Sequence, residues 1–404
     1  MAPPPVSLII VSRHRPVALM RALTGISQMD HPSFEVIVVA DPEAAGRIRS
    51  AGHPVKLADF DEANISAARN IGLGLAAAPV VAFLDDDAVP EPTWLSRLSA
   101  PFEDGRVMQA GGYVRGRSGF AWQWRAMHVD GGGFDHPFEP GPGVTLHPGS
   151  ATFAVKTQGT NCAFRRDALL EIGGFDSGYR FYLEEADVNL RLAARGGLTA
   201  VVPDAVVHHG FAASARRRAD RVPTDLTEIG ASIAHFLRRH AAEHDTALAR
   251  HQAIEEDRLQ RHVAAARLTS RDAMRLAGTF QAGLLVAAKR PADPPMPMVS
   301  DPPPFLPWPD TRLRPGRVIS GMIWRRDLRG KAESAVAAGA IVTLFRLSPG
   351  FRRQRQIFNP AGWWEITGGR FGRAERDAPA PLLELPTARR ARTLGRIAPY
   401  RPIE

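Results

Sequence analysis

Three short apolar runs recur in the N-terminal part of the chain: Val6–Val11 (VSLIIV), Phe34–Ala40 (FEVIVVA) and Val80–Leu84, which opens the stretch VVAFLDDD. Each run is continuous rather than alternating, too short for a helix and mostly rich in β-branched residues, so each predicts a strand buried on both faces. Between the first two, Val17, Leu19, Met20, Leu23 and Ile26 return at helical spacing. Asn64–Ala78 (NISAARNIGLGLAAA) also reads as a helix, closed by Pro79, and Gly46–Ser50 and Val55–Ala58 as a short helix and a weak strand. Strands alternating with helices predict a parallel sheet with crossover helices. The three strong strands all end in polar residues, at Ser12-Arg13, at Asp41 and at Asp85-Asp86-Asp87. Open α/β sheets hold ligands at such carboxyl ends.

The pattern then becomes less regular. Trp94–Ser99 predicts a helix and Val107–Val114 a strand. Phe120–Pro148 is rich in glycine, proline, histidine and aromatic residues; it reads either as a segment covering a substrate or as a surface excursion packed by its own rings. Gly159–Arg166 predicts a strand and Asp167–Phe175 a short helix. Over Tyr182–Arg195 a helix is expected, with Glu184, Asp187 and Arg191 on one face and Leu183, Ala186, Leu190 and Ala194 on another. Val201–Pro203 and Val206–His209 follow as short strand pieces ending in His208-His209. Asp225–Arg239 is an amphipathic helix, and helical character continues to about Lys289. Pro291–Pro315 reads as a linker or an extended strap, and the alternation after Arg317 predicts a small β-rich module. Four units result: 1–215, a helical extension over 216–290, a proline-rich linker over 291–316, and a basic module over 317–404.

Composition narrows the class. The single cysteine, Cys162, excludes an internal disulfide and fits a reducing compartment. No apolar run is long enough for a membrane span, and MAPPPVSLII lacks the basic start and apolar core of a signal peptide, so a cytoplasmic location is expected. The net charge of +9 is uneven: residues 1–210 carry 18 basic and 23 acidic side chains, the rest 33 basic and 19 acidic. A basic half suits an anionic membrane surface or an anionic, lipid-linked acceptor; an arginine-rich solvated surface is the plainer alternative. No nucleic-acid partner is expected.

Three adjacent carboxylates repel one another unless a cation joins them, and oxygen ligands suit Mg²⁺ or Mn²⁺. A solvated acidic turn before Pro90 is the competing explanation. Glu184 and Glu185 begin a helix, where a raised pKa in one of them would suit a general base and solvation by the helix N-terminus would suit neither. The His208-His209 pair could hold a metal, or be structural. No G-x-G-x-x-G follows the first strand and no G-x-x-x-x-G-K-[ST] occurs, which disfavours dinucleotide binding and P-loop hydrolysis.

Taken together and in order, SLIIVSRHRP, FEVIVVADPE, NISAARNIGLGLAAAPVVAFLDDD, GTNCAFRRDALLEIGGFD, YLEEADVNLRLAARG and VVPDAVVHHGFAAS resemble a family 2 glycosyltransferase over roughly residues 5–215. The resemblance implies a GT-A type, Rossmann-like mixed sheet flanked by helices, and a divalent metal, Mn²⁺ or Mg²⁺. It implies transfer of a sugar from a nucleotide-diphosphate sugar to an acceptor hydroxyl by single displacement with inversion, in cell-surface polysaccharide or glycolipid assembly. A glycan or lipid-linked molecule would be the acceptor. The nucleotide-sugar pocket is expected from Ser12, Arg13, Asp41, Asn64, Arg69, Asp85, Asp86 and Arg191. Asp87 with His209 or His208 would hold the metal. Glu185 would be the base, with Glu184 and Asp187 beside it. Asp41 is followed by Pro42-Glu43, which leaves the nucleotide open, and the acidic pair is Glu-Glu where Glu-Asp is commoner. A non-catalytic nucleotide-sugar or glycan-binding protein is the alternative, but it should have lost a metal carboxylate or the glutamate pair.

Overall fold

The computed structural model describes residues 3–210, 216–218, 220–309, 314–374 and 386–403. In chain order the N-terminal part runs β1 (Val6–Ser12), α1 (Pro16–Ile26), β2 (Phe34–Ala40), α2 (Pro42–Ala51), β3 (Val55–Asp59), α3 (Ile65–Leu75), β4 (Val80–Asp85), β5 (Ala88–Pro90), α4 (Trp94–Ser99) and β6 (Val107–Arg115). Five short strands follow: β7 (Trp122–Trp124), β8 (Met127–Asp130), β9 (Asp135–Pro137), β10 (Thr145–His147) and β11 (Phe153–Val155). Then come β12 (Cys162–Arg165), α5 (Arg166–Glu171), α6 (Glu184–Ala194) and β13 (Leu198–His209).

The main sheet runs β10-β13-β6-β12-β4-β1-β2-β3, with β5 paired to β13 and β7 to β6. β1 pairs in parallel with both β2 and β4, whereas β12 lies antiparallel to β4 and β6, so the sheet is mixed. The three apolar runs are its centre, and β2 is buried at every position. Their alternate side chains supply two cores, one on each face. Leu8, Ile10, Val36, Val38, Ala82 and Leu84 meet α1 and α4 on one face; Ile9, Ile37, Val81 and Phe83 meet Leu73, Phe164 and Phe175 on the other.

Some boundaries differ from the sequence pattern. The two pieces around Pro203 are one strand, β13, whose register against β6 shifts between Val202 and Val206. Proline lacks the N–H that a regular ladder needs, and a bulge accommodates it. α6 begins at Glu184 rather than Tyr182, because Tyr182 and Leu183 adopt φ of 78° and 67°. The glycine- and aromatic-rich excursion is built partly of short strands: β8 and β9, with β11 beyond it, form a separate three-stranded sheet.

Helices α7 (Thr227–His240), α8 (His244–Ala264) and α9 (Ser270–Ala287) follow in the chain. They share a core with α6: Ile233, Phe236, Leu276 and Phe280 pack with Leu183, Ala186 and Leu190. The FAAS stretch (211–214) and the residue before the expected boundary at 215/216 lie outside the described residues. The proline-rich segment is a strap laid along the β2–β3 side of the sheet. Trp308 stacks on Phe34 and His53, Leu306 N–H donates to Glu35, and Lys56 donates to the Pro303 carbonyl. The last module comprises β14 (Gly316–Met322), α10 (Asp327–Ala337), β15 (Ile341–Ser348), β16 (Arg355–Phe358) and β17 (Trp363–Gly369), followed by α11 (Pro386–Ile397). Its sheet order is β14-β15-β17-β16. Ile341, Phe358 and Trp364 pack on Val89 of β5, which seats the module beside the end of β4.

Candidate active site

The chain leaves β4 at Asp85, turns through Asp86 and Asp87, and returns as β5. β5 lies antiparallel to the end of β13, with Ala88 opposite His209, and Gly210 N–H donates to the Asp87 carbonyl. This pairing carries the histidine to the carboxylates. His209 Nε2 lies 3.1 Å from Asp87 Oδ1 and 3.8 Å from Asp85 Oδ2. One ligand atom from each of Asp85, Asp87 and His209 lies within 4.8 Å of the others, the arrangement of such groups that could hold a cation among the described residues. Two oxygens and one imidazole nitrogen suit Mn²⁺ or Mg²⁺. Gln123 Oε1 is 3.2 Å from His209 Nδ1, which turns Nε2 toward the carboxylates.

Asp86 points away from that group. It accepts from Ser12 Oγ at 2.7 Å and pairs with Arg15 at 2.6 Å. Burial pushes its carboxyl up to about 7; Arg15 opposes the rise, and Asp87 and Asp85 add to it. Arg15 also approaches Asp87, at 3.5 Å, so one guanidinium braces two members of the triplet. Asp85, read from the sequence as a nucleotide contact, sits with Asp87 in the cation-capable group.

Arg69 of α3 joins the strand end to the glutamate pair. It donates to Glu184 Oε1 at 3.0 Å and to the Gly159 carbonyl at 3.2 Å, and lies 3.7 Å from Asp85. Its guanidinium sits over Phe83 and Phe175. A side chain at Gly159 would meet this guanidinium at 2.7 Å, so glycine is what lets it in. Glu184 is buried, and burial with the adjacent Glu185 charge pushes its carboxyl up against the pull of Arg69. Glu185 is more accessible, and its charge acts on Lys156. Burial would lower the Lys156 ammonium, but Glu185 and Asp135, the latter 2.8 Å away, hold it above its ordinary value.

At the end of β2, Asp41 caps α2, accepting from Glu43 and Ala44 N–H groups and from His14 N–H at 2.7 Å. Burial acts to raise its carboxyl, and these donors outweigh it and hold the carboxyl below its ordinary value. Arg13 pairs with Asp61 on the surface. Asn64 caps α3, accepting from Ala67 N–H and donating to the Ser177 carbonyl.

Three expected residues are engaged elsewhere. His208, next to His209 on a strand, faces the opposite way, as the two-residue period of a strand requires. Its Nε2 lies 2.7 Å from Glu91 Oε1, in a buried group with Arg401, and it does not join the cation-capable carboxylates. Asp187 points from α6 toward α7, paired with Arg191, Arg239 and His240. Burial would raise it, but these cations hold it far below the carboxylate range. Arg191 donates to Asp187 and to the Ile172 and Gly174 carbonyls. Asp187 and Arg191 therefore lock α6 in position; neither faces the Asp85–Glu185 cleft. Conversely, Arg15, Gln123 and Lys156 were not singled out from sequence. Arg15 follows the bend at Arg13-His14, where His14 adopts φ 57°, so strand alternation could not place it; Gln123 sits in the irregular excursion and Lys156 just after β11, and neither carries a periodic signal.

The chain is 28% identical over 246 residues to the O-antigen biosynthesis protein RfbC of Myxococcus xanthus, covering 54% of this chain and 18% of that protein. It is 28% identical over 223 residues to a pre-mycofactocin glycosyltransferase of Mycobacterium tuberculosis, covering 50% of this chain and 42% of the relative. The chain thus spans less than half the length of either. Among solved structures, GalNAc-T7 with UDP, GalNAc and Mn²⁺ aligns with a TM-score of 0.44 at 17% identity, over 60% of this chain and 53% of the other. The family model described as "Glycosyltransferase like family 2" matches residues 3–221, more than half the chain and the whole segment that carries the carboxylate triplet and the glutamate pair, and the chain belongs to that family.

Proposed function

We propose that this protein transfers a sugar from a nucleotide-diphosphate donor to an acceptor hydroxyl, with inversion, in the assembly of a cell-surface polysaccharide or glycolipid. The observation that carries this reading is the convergence of Asp85, Asp87 and His209 beside the Arg69–Glu184–Glu185 cluster at the carboxyl end of β4. Family membership and the names of the two relatives support the substrate class. Asp85, Asp87 and His209 would hold Mn²⁺ or Mg²⁺, and the bound cation would offset the charge that grows on the diphosphate leaving group. Asp41 and Ser12 line the nucleotide side, at the ends of β2 and β1.

Glu185 is the group suited to act as base. It is accessible where Glu184 is buried against Arg69. It takes the acceptor hydroxyl proton as that oxygen forms a bond to the anomeric carbon, while the bond from that carbon to the diphosphate oxygen breaks. Attack opposite the leaving group inverts the centre. The single buried cysteine supports a cytoplasmic setting. No helix among the described residues is long and apolar enough to cross a membrane, and the +14 balance of residues 211–404 supports peripheral contact with an anionic membrane face. A thermal-shift screen of UDP-, GDP- and dTDP-sugars with Mn²⁺ tests the reading: one donor series should stabilise the protein in a metal-dependent way, and stabilisation by none would refute it.

A further inference from the structure

Asp87 and His209 meet because β5 and the end of β13 form a short ribbon, paired Val207↔Pro90, His208↔Val89 and His209↔Ala88. A strand as short as β5 is held only weakly by its own ladder. Strand alternation gives the ribbon two differently occupied faces. On one, His209 reaches Asp87 and Asp85. On the other, Val89 and His208 meet the C-terminal module. Val89 packs with Ile341, Phe358 and Trp364, and the His208 ring lies 4.8 Å from that of Trp364.

Glu91, the residue after β5, ties both strands of the ribbon to that module. Its N–H donates to the Val206 carbonyl at 3.0 Å. Its Oε1 lies 2.7 Å from His208 Nε2 and also accepts from Arg401 Nη2. Arg401 is buried, and its guanidinium lies over the Trp364 ring at 3.8 Å. The tail that carries Arg401 is fastened on both sides. Thr93 N–H donates to the Tyr400 carbonyl at 3.2 Å, and Arg97 donates to the Pro399 carbonyl. Pro402 packs on Gly316 at the start of β14, where any side chain would meet the Pro402 carbonyl carbon at 2.5 Å.

Replacing a buried ion pair by apolar side chains is often neutral for stability, whereas its charge-assisted bonds set the geometry of the partners closely. The geometry set here is that of the ribbon. Glu91 Oε1 is shared by Arg401 and His208, so displacing the guanidinium loosens the imidazole, and His208 shares a peptide unit with His209. We propose that Arg401 is a positioning residue for the cation-capable group: acting through Glu91 and His208, with Trp364 behind them, it holds the β5–β13 ribbon at the spacing that brings His209 to Asp87. The inference rests on the reading of Asp85, Asp87 and His209 as cation ligands, and it gives the C-terminal module a part in that site.

The test is titration of the full chain with Mn²⁺ alone, read from the electron paramagnetic resonance signal of the free ion, with urea denaturation run alongside. Arg401→Gln should weaken Mn²⁺ binding about tenfold, the lower end of what loss of outer support costs a metal site. Arg401→Lys keeps the cation and should recover part of that loss. Arg401→Gln leaves the Glu91 charge buried and unpaired, so Arg401→Gln/Glu91→Gln is measured with it; this variant should regain stability and still bind Mn²⁺ about tenfold more weakly than the wild type. Trp308→Ala controls for loss of stability alone, because it loosens the strap at the start of β2, the end of the sheet away from the site. Its Mn²⁺ affinity should match the wild type. Wild-type affinity in either Arg401→Gln variant, or the same loss in Trp308→Ala, would overturn the proposal. Asp87→Ala separates this from the underlying reading. If Asp87→Ala binds Mn²⁺ as the wild type does, the cation reading fails and the inference falls with it. If Asp87→Ala loses Mn²⁺ while the Arg401→Gln variants keep it, only the positioning role is overturned.

Discussion

Arg69 is the residue through which the strand end and the glutamate pair depend on each other, so Arg69→Met is the most informative perturbation of the site's architecture. The guanidinium is buried and makes an ion pair to Glu184 at 3.0 Å, with Asp85 a further 3.7 Å contact. At an effective dielectric near 20, the Glu184 pair alone corresponds to about 5 kcal/mol of attraction, much of it offset by the cost of desolvating both charges. Removing only the cation leaves a buried carboxylate beside Glu185. Loss of one partner of such a pair typically costs about 3–5 kcal/mol. Methionine keeps the contact with Phe83 and Phe175, so the loss reports charge rather than volume. Adding Glu184→Gln should then recover about 2 kcal/mol, because the orphaned charge is gone. Urea denaturation with linear extrapolation measures both variants. A single-variant loss below about 1 kcal/mol, or a double variant as unstable as the sum of the singles, would refute the idea that Arg69 holds the two halves of the site together.

Three further outcomes follow from the same structure. Burial raises Glu91, but Arg401 and His208 outweigh it and hold its carboxyl down to about 2. A depressed carboxyl stabilises the fold above its unfolded pKa and loses that contribution as pH falls through the folded value, so stability should drop between about pH 4.5 and 2. Glu91→Gln should flatten the urea-midpoint profile in that window, and an unchanged slope would exclude the network as a source of acid sensitivity. Trp308→Ala, which removes the buried ring stacked on Phe34 and His53, should cost about 3 kcal/mol and expose the strap to proteolysis near Pro303; an intact strap under limited proteolysis would show that other contacts hold it. Tyr182→Gly should raise stability by up to about 1 kcal/mol, because glycine accepts the φ of 78° that tyrosine does not, while shifting the start of α6 and lowering turnover; a stability loss would argue that the ring's packing outweighs the strain.

The buried strands were legible because a strand covered on both faces must be apolar at nearly every position, as Val6–Ser12 and Phe34–Ala40 are. The carboxylate triplet was legible because three adjacent charges at a strand end demand a partner. The division between His208 and His209 follows from strand alternation, yet it required knowing that β13 runs unbroken to its end. That continuity was obscured by Pro203, which the bulge absorbs. The fates of Asp187 and Arg191 depended on α7, since Arg239 and His240 arrive from a helix distant in sequence.

The central claim is that Asp85, Asp87 and His209 hold a divalent cation for donor chemistry and that Glu185 supplies the base. The most direct measurement is release of sugar from the stabilising donor, with and without acceptor, at fixed Mn²⁺ and in chelator, for the wild type, Asp87→Ala and Glu185→Gln. The account predicts that chelator and Asp87→Ala each abolish transfer, and that Glu185→Gln keeps donor binding but lowers transfer by about a hundredfold or more. Transfer that survives chelation and Asp87→Ala, or full turnover in Glu185→Gln, would contradict it.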